Sequence, residues 1–163
     1  MDVIVIGGGL AGTEAALQIA ERKIKVKLYE MKPVKFSGAH SNENLAEIVC
    51  SNSFKSNLLT NACGLLKEEL RVLGSKLIPI ADSVAVPAGQ ALAVDREKFA
   101  EEVTKLVEEN EYIEVIGEEV TDIPEDSIVI IATGPLTSEK LSEKIAKITG
   151  SDKLFFYDDY IYQ

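Results

Sequence analysis

The sequence predicts an α/β fold in which a parallel sheet is flanked by helices. Three observations point there. Two runs, "DVIVIGG" at residues 2–8 and "SIVIIATG" at residues 127–134, are too rich in Val and Ile to face water and each ends in glycine, as strands buried on both faces of a parallel sheet do. Segments of helical periodicity alternate with extended ones along the whole chain. The glycines after the first run stand between a strand and a helix.

Taken in order, "DVIVIGG" is the first strand. "GTEAALQIAERK" (12–23) is a helix whose Ala15, Ala16, Ile19 and Ala20 form a narrow stripe of small residues that lets it lie close to the sheet. "IKVKLYE" (24–30) alternates as a second strand and closes a βαβ unit of about thirty residues. From Met31 to Asn44, Pro33, Gly38 and "HSNEN" mark a loop, followed by a short helix over 45–49. "TNACGLLKEELRVLG" (60–74) is a helix with Thr60 as N-cap and Gly74 at its end. Extended pieces follow at "SVAVP" and "ALAV". "DREKFAEEVTKLVEEN" (95–110) is a helix capped by Asp95, with Phe99, Val103, Leu106 and Val107 at helical spacing. Strands at 112–116 and 119–123 precede "SIVIIATG". "TSEKLSEKIAKITG" (137–150) puts Leu141, Ile145 and Ile148 on one helix face, and "KLFFYDD" is a closing strand. With neither repeat nor linker, residues 1–163 read as a single domain.

Composition narrows the function. A 46% hydrophobic content is that of an ordinary globular protein. Cys50 and Cys63, with one histidine, His40, supply neither a disulfide framework nor a metal cluster of the usual soft ligands. The sequence holds no run of about 18 apolar residues, the length needed to span a bilayer, and the apolar start has neither a basic leader nor a cleavage site. The chain is therefore expected to be cytoplasmic, with no membrane partner. A net charge of −10 repels nucleic acid and anionic lipid on average. The most basic stretch, "ERKIKVKLYEMKPVK" (21–35), is read as alternating charge around a buried strand.

The chemistry concentrates at "IGGGLAG". Gly7, Gly9 and Gly12 form G-x-G-x-x-G: the first permits the tight turn, the second admits a pyrophosphate to the backbone, and the third lets helix and strand pack closely. Gly8, Leu10 and Ala11 complete the loop at the helix N-terminus, whose free N–H groups favour phosphate. Glu30, eighteen residues beyond Gly12, stands where a carboxylate accepts the hydroxyls of an adenosine ribose. NAD and FAD share this Rossmann-like fingerprint. The "VIIATG" strand, whose Thr133 and Gly134 approach the dinucleotide from a neighbouring position, resembles a feature of glutathione-reductase-like flavoproteins and selects FAD.

Together, "VIGGGLAGTEAA", "LYEMKPVK", "LAEIVCSNSFKSN", "LTNACGLLKEEL", "VPAGQALAVDREKFA" and "IIATGPLTSEKL" resemble the N-terminal part of the TrmFO family, FAD- and folate-dependent tRNA uracil-5-methyltransferases related to GidA-like flavoproteins. The resemblance implies formation of ribothymidine in the tRNA T-loop, with methylenetetrahydrofolate as carbon donor, NAD(P)H as reductant and tRNA as partner. It implies that Cys50 is the thiol that meets the uracil. Residue types alone leave Cys50 open between a reactive thiol and a loop residue packed near the cofactor. Cys63, beside Leu65 and Leu66, is expected as a buried spacer. His40 is either solvated or in contact with flavin or substrate, and Arg96 either pairs locally or reaches a flavin phosphate. The family is more than twice this length, so the chain is expected to be truncated, too short for full activity, and open to self-association or a complementing chain. A stand-alone dinucleotide-binding module and an NAD(P)-linked oxidoreductase are the alternatives.

Overall fold

The computed structural model describes residues 2–150; the expected closing strand at "KLFFYDD" lies outside the described residues. In chain order the elements are β1 (Val3–Ile6), α1 (Leu10–Glu21), β2 (Val26–Glu30), β3 (Ser53–Ser56), α2 (Ala62–Val72), α3 (Leu77–Ser83), β4 (Ala85–Val86) and β5 (Ala91–Val94). Then come α4 (Arg96–Glu108), β6 (Ile113–Gly117), β7 (Ile128–Ile131), a 3-10 turn (Gly134–Leu136) and α5 (Glu139–Thr149).

Four strands form a parallel sheet in the order β6-β2-β1-β7. Val3 pairs with Val26 on one side and Ile128 on the other, so β1 is the strand from which the chain departs in one direction and beside which it returns in the other. That reversal opens a crevice at the carboxyl ends of β1 and β7. Val5, Val26 and Leu28 are sealed beneath α1 and α4, where Phe99, Val103 and Val107 complete the core. Burying each such side chain contributes about 1.5–3 kcal/mol. The burial expected on both faces of β1 and β7 holds only in part, since Ile4 is half-buried and Ile128 and Ile131 of β7 are exposed, while β2 alternates as expected, with Lys27 and Tyr29 half-buried between sealed residues.

α1 turns slightly differently from the expected stripe. Gly12, Thr13, Ala16, Leu17 and Ala20 are buried, while Ala15 and Ile19 stand at its margin. The Thr13 hydroxyl, fully buried, donates to the Gly9 carbonyl at 2.8 Å. Asp95 caps α4 as expected, accepting from the Lys98 N–H at 3.2 Å, and Gly150 ends α5 in the left-handed region with φ of 66°.

Several elements depart from expectation. Residues 45–49 are not helical, because Ala46 has a φ of 51° and its N–H is spent on the Gly8 carbonyl at 2.8 Å. Residues 119–123 form no strand. Asn61, not Thr60, caps α2 by accepting from the Cys63 N–H at 3.0 Å. A second, antiparallel sheet, β3-β5-β4, was signalled only by its "SVAVP" and "ALAV" strands.

Helix α3 was not signalled at all. Pro79 in its first turn is compatible with a helix start, since the missing N–H would have had no partner there. Its cap comes mainly from α1: the Glu14 carboxylate accepts from the Lys76 N–H at 2.9 Å, the Leu77 N–H at 3.0 Å and the Ser75 hydroxyl at 2.8 Å, and that hydroxyl in turn accepts from the Ile78 N–H at 3.3 Å. Burial pushes this carboxyl up, but the bonds from Gln18, Lys76, Leu77 and Ser75 outweigh it and hold it below its usual 4.5. Glu14→Ala is expected to cost about 1–2 kcal/mol, toward the low end because the carboxylate is partly solvated. With its folded-state pKa depressed, Glu14 contributes its full stabilisation above the unfolded value and loses it as pH falls through the folded one. Urea melts of both proteins should therefore differ near neutrality and converge in acid.

Candidate dinucleotide-binding site

A cleft of about 270 Å³ lies at the carboxyl ends of β1, β2 and β7, between the glycine loop and the turn after β7. Four successive features of the loop explain its shape. Gly7 has a φ of 105°, and a Cβ there would stand 2.7 Å from the Ala132 carbonyl oxygen. At Gly8 a Cβ would meet Leu45 at 2.6 Å and Glu30 at 2.8 Å. A Cβ at Gly12 would run into the Gly7 carbonyl, so this glycine is what lets α1 start so close to β1. Gly9 is different. A Cβ there meets nothing within 4 Å, and its backbone is extended at φ −74°.

Among the described residues, no contact thus requires a glycine at position 9. The space beside it lies at the start of α1, where Leu10, Ala11 and Gly12 carry N–H groups without intrahelical partners and no acidic side chain occupies the first turn. The positive end of the helix dipole and open donors make that space suited to phosphate.

Glu30 ends β2 and turns back to the loop. Its Oε2 accepts from the Gly8 N–H at 2.7 Å and its Oε1 from the Lys32 N–H at 3.1 Å. Each carboxylate oxygen keeps a further lone pair, so Glu30 can fix the loop and still accept a hydroxyl. Across the cleft, Thr133 and Gly134 follow β7; the Thr133 and Thr137 hydroxyls share a hydrogen bond of 2.5 Å.

The other wall is made by the 31–49 loop, which sequence reasoning left largely unassigned. Lys32, only 5% exposed, donates from Nζ to the Asn44 carbonyl at 2.5 Å and lies 3.4 Å from Glu47 Oε2. Glu47 Oε1 accepts from the Ser41 N–H and hydroxyl at 2.9 and 2.7 Å. Burial raises the Glu47 carboxyl, but the Ser41 bonds and the Lys32 ammonium more than reverse it. His40 lines the cleft with Nδ1 2.6 Å from the Ser37 hydroxyl; burial and then Lys32 lower its pKa below 6.5, leaving it neutral at pH 7. The basic stretch at 21–35 is neutralised in part, since Lys35 pairs with Glu119 at 2.7 Å. The backbone after β6, from Glu118 to Val120, also lines the cleft and carried no sequence signal.

The structure thus brings Gly7, Gly9, Leu10, Ala11, Glu30, Thr133 and Gly134 together, with Gly8 and Gly12 shaping the loop from behind. Cys50 is exposed and one residue beyond Val49, which does line the cleft. Arg96 begins α4 in a separate shallow hollow with Ser51, Asn52 and Asp95, so it neighbours the cysteine segment and not the glycine loop. Cys63 is exposed, against the expectation of a buried spacer, because α2 turns Gly64 and Lys67 inward instead. Among the described residues, no group of three or more His, Cys, Asp or Glu side chains is placed to hold a metal ion, and no helix is long and apolar enough to cross a membrane.

A family model described as "Glucose inhibited division protein A" matches residues 2–160. A methylenetetrahydrofolate–tRNA-(uracil-5-)-methyltransferase TrmFO of Fusobacterium nucleatum is 62% identical over 96% of this chain and 36% of its own length. The proteins of the same description from Caldicellulosiruptor bescii and Acetivibrio thermocellus are 56% and 60% identical, over 36% and 35% of their lengths. The chain therefore spans little more than a third of these curated relatives. Among solved structures, Aquifex aeolicus GidA superposes with a TM-score of 0.65 at 21% identity, over 82% of this chain and 25% of that one, a likeness of fold.

Proposed function

The chain belongs to the glucose-inhibited division protein A family, and from that premise we propose that it is the FAD-binding segment of a methylenetetrahydrofolate-dependent tRNA (uracil-5-)-methyltransferase. The observation that carries the cofactor reading is Gly9: a glycine at the head of α1 that no contact among the described residues requires, facing open donors. In this reading Leu10 and Ala11 N–H groups bind pyrophosphate, Glu30 accepts the adenosine ribose hydroxyls, and Thr133 and Gly134 close the cleft from β7. FAD, when bound, supplies the redox chemistry of methyl transfer, with NAD(P)H as reductant.

Cys50 is assigned the pyrimidine. Cys50 is exposed and follows Val49 of the cleft wall, and a thiolate adding to C6 of uracil would make C5 nucleophilic toward a one-carbon unit derived from the folate. Ser51, Asn52 and Arg96, in the adjacent hollow, are suited to hold a base edge or a phosphate. The charge of −10 favours a main tRNA contact on polypeptide outside this segment.

The test is a titration of the purified chain with FAD, followed by its visible spectrum and flavin fluorescence, and in parallel with NADH. Saturable flavin binding, unchanged in Cys50→Ser, is the expected result. A folded chain that binds NADH and not FAD would overturn the reading in favour of an NAD(P)-linked oxidoreductase, because the glycine fingerprint alone fits either dinucleotide.

A further inference from the structure

The residues of α2 buried against the rest of the described chain are Gly64 and Lys67, with Leu70 half-buried beside them, and its most exposed side is largely apolar. Inward it presents Gly64, where a Cβ would strike the Leu58 carbonyl, and Lys67, whose Nζ bonds the Phe54, Ser56 and Cys63 carbonyls at 2.7, 2.7 and 2.8 Å. Arg71 is held by Asp82 at 2.8 and 3.0 Å. Outward stand Leu65 and Leu66, 49% and 56% exposed, then Val72 and Leu73, 82% and 76% exposed. Leu65 and Val72 are seven residues apart, as are Leu66 and Leu73, so helical geometry stacks them in one stripe. Leu58 and Leu59 in the preceding turn are also exposed. By contrast, α4 turns Glu101, Glu102 and Glu108 to solvent. Single exposed hydrophobes are ordinary, but a contiguous stripe marks an interface.

Two observations select the occupant. Nearly two thirds of the F. nucleatum relative's length lies outside its match to this chain, so in that protein ample polypeptide is available to cover the stripe. A second copy is disfavoured: Glu69 interrupts the stripe at its centre, and a two-fold contact there would set Glu69 against Glu69 between chains that each carry a charge of −10. We propose that the outer face of α2, with the Leu58–Leu59 turn, seats polypeptide corresponding to the remainder of these relatives, through an apolar face carrying a basic residue that meets Glu69. The family relation underlies this proposal; the cofactor reading does not.

Cys63, exposed on the flank of the stripe, is the reporter. Its maleimide labelling, separated from that of Cys50 by peptide mass spectrometry, is compared between this chain and its fusion to the remainder of the F. nucleatum relative. The expected result is labelling at least tenfold slower in the fusion, restored by Leu66→Asp with Val72→Asp, two changes that leave the circular dichroism of the chain alone unaltered. Equal labelling in chain and fusion overturns the proposal, as does a concentration-dependent dimer of this chain that protects Cys63. Should the fusion not fold, amide exchange decides: the segment matching α2 in the intact F. nucleatum protein should exchange at least tenfold more slowly than α2 here, and equal rates overturn the proposal.

Discussion

Gly9→Val should abolish flavin binding and leave the fold intact, whereas Gly12→Ala should damage the fold itself. The two glycines belong to one motif, but different neighbours constrain them. A Cβ on Gly9 would have no atom of the described residues within 4 Å, and the φ of −74° suits any residue, so the valine costs only the modest penalty of a poor N-cap, about 1 kcal/mol or less. Its side chain then fills the space assigned to pyrophosphate, with an expected loss of at least ~100-fold in affinity, or about 2.8 kcal/mol. At Gly12 the added methyl meets the Gly7 carbonyl, and both partners are backbone. Relief requires α1 to move away from β1, which over-packing data put at about 3 kcal/mol. For a domain of this size that lowers the melting temperature by about 6–12 °C. Thermal melts and FAD titrations of both variants check the pair. Retained flavin in Gly9→Val would remove the pyrophosphate from this cleft, and an unchanged melt in Gly12→Ala would refute the close approach.

The glycine loop was legible because its constraints are local. Gly12, Glu30 and the capping Asp95 act within a single βαβ unit or a single helix turn and stand where residue type and spacing placed them, while Gly7 adds a close approach to Ala132 after β7. What escaped the sequence depends on partners far along the chain. Strand β3, "SFKS", has no β-branched residue, and Lys55 within it has a φ of 64°; its strand character comes from pairing with Ala91 and Ala93. Helix α3 has only one long local cap bond, from the Ile78 N–H to the Ser75 hydroxyl at 3.3 Å, and borrows Glu14 from α1 for the rest. The loop before Cys50 looked helical at "LAEIV", but the Ala46 N–H and the Leu45 N–H are committed to the Gly8 carbonyl and the Thr104 hydroxyl, at 2.8 Å each. The same dependence hides the cleft's second wall, since nothing in the spacing of Lys32 and Glu47 announces that they meet. Cys63 was misread for the opposite reason: its leucine neighbours suggested a core, and the core-facing side of that helix is the polar one.

Lys67 is where that inversion can be tested by stability. Lys67 is 5% exposed, and the carbonyls of Phe54, Ser56 and Cys63 take the three hydrogens of its ammonium, so backbone dipoles stand in for an anionic partner. Burial pushes its pKa below the usual 10.5, which marks the cost of keeping the charge there. Lys67→Met fills similar volume but leaves the Phe54 and Ser56 carbonyls without that donor, at about 1–3 kcal/mol for each group that water does not reach. The relief of desolvating no charge offsets part of this. The expected net loss is about 2–3 kcal/mol, a fall of about 4–12 °C in melting temperature. Arg71→Ala, which removes a more solvated pair with Asp82, should cost about 1 kcal/mol or less. Because Lys67 ties α2 to β3, and β3 directly follows the Cys50 segment, amide exchange in Lys67→Met should quicken over residues 50–57 and remain slow in β1 and β2. A variant that melts with the wild type, or that exchanges faster everywhere alike, would show that α2 is held by something other than this ammonium.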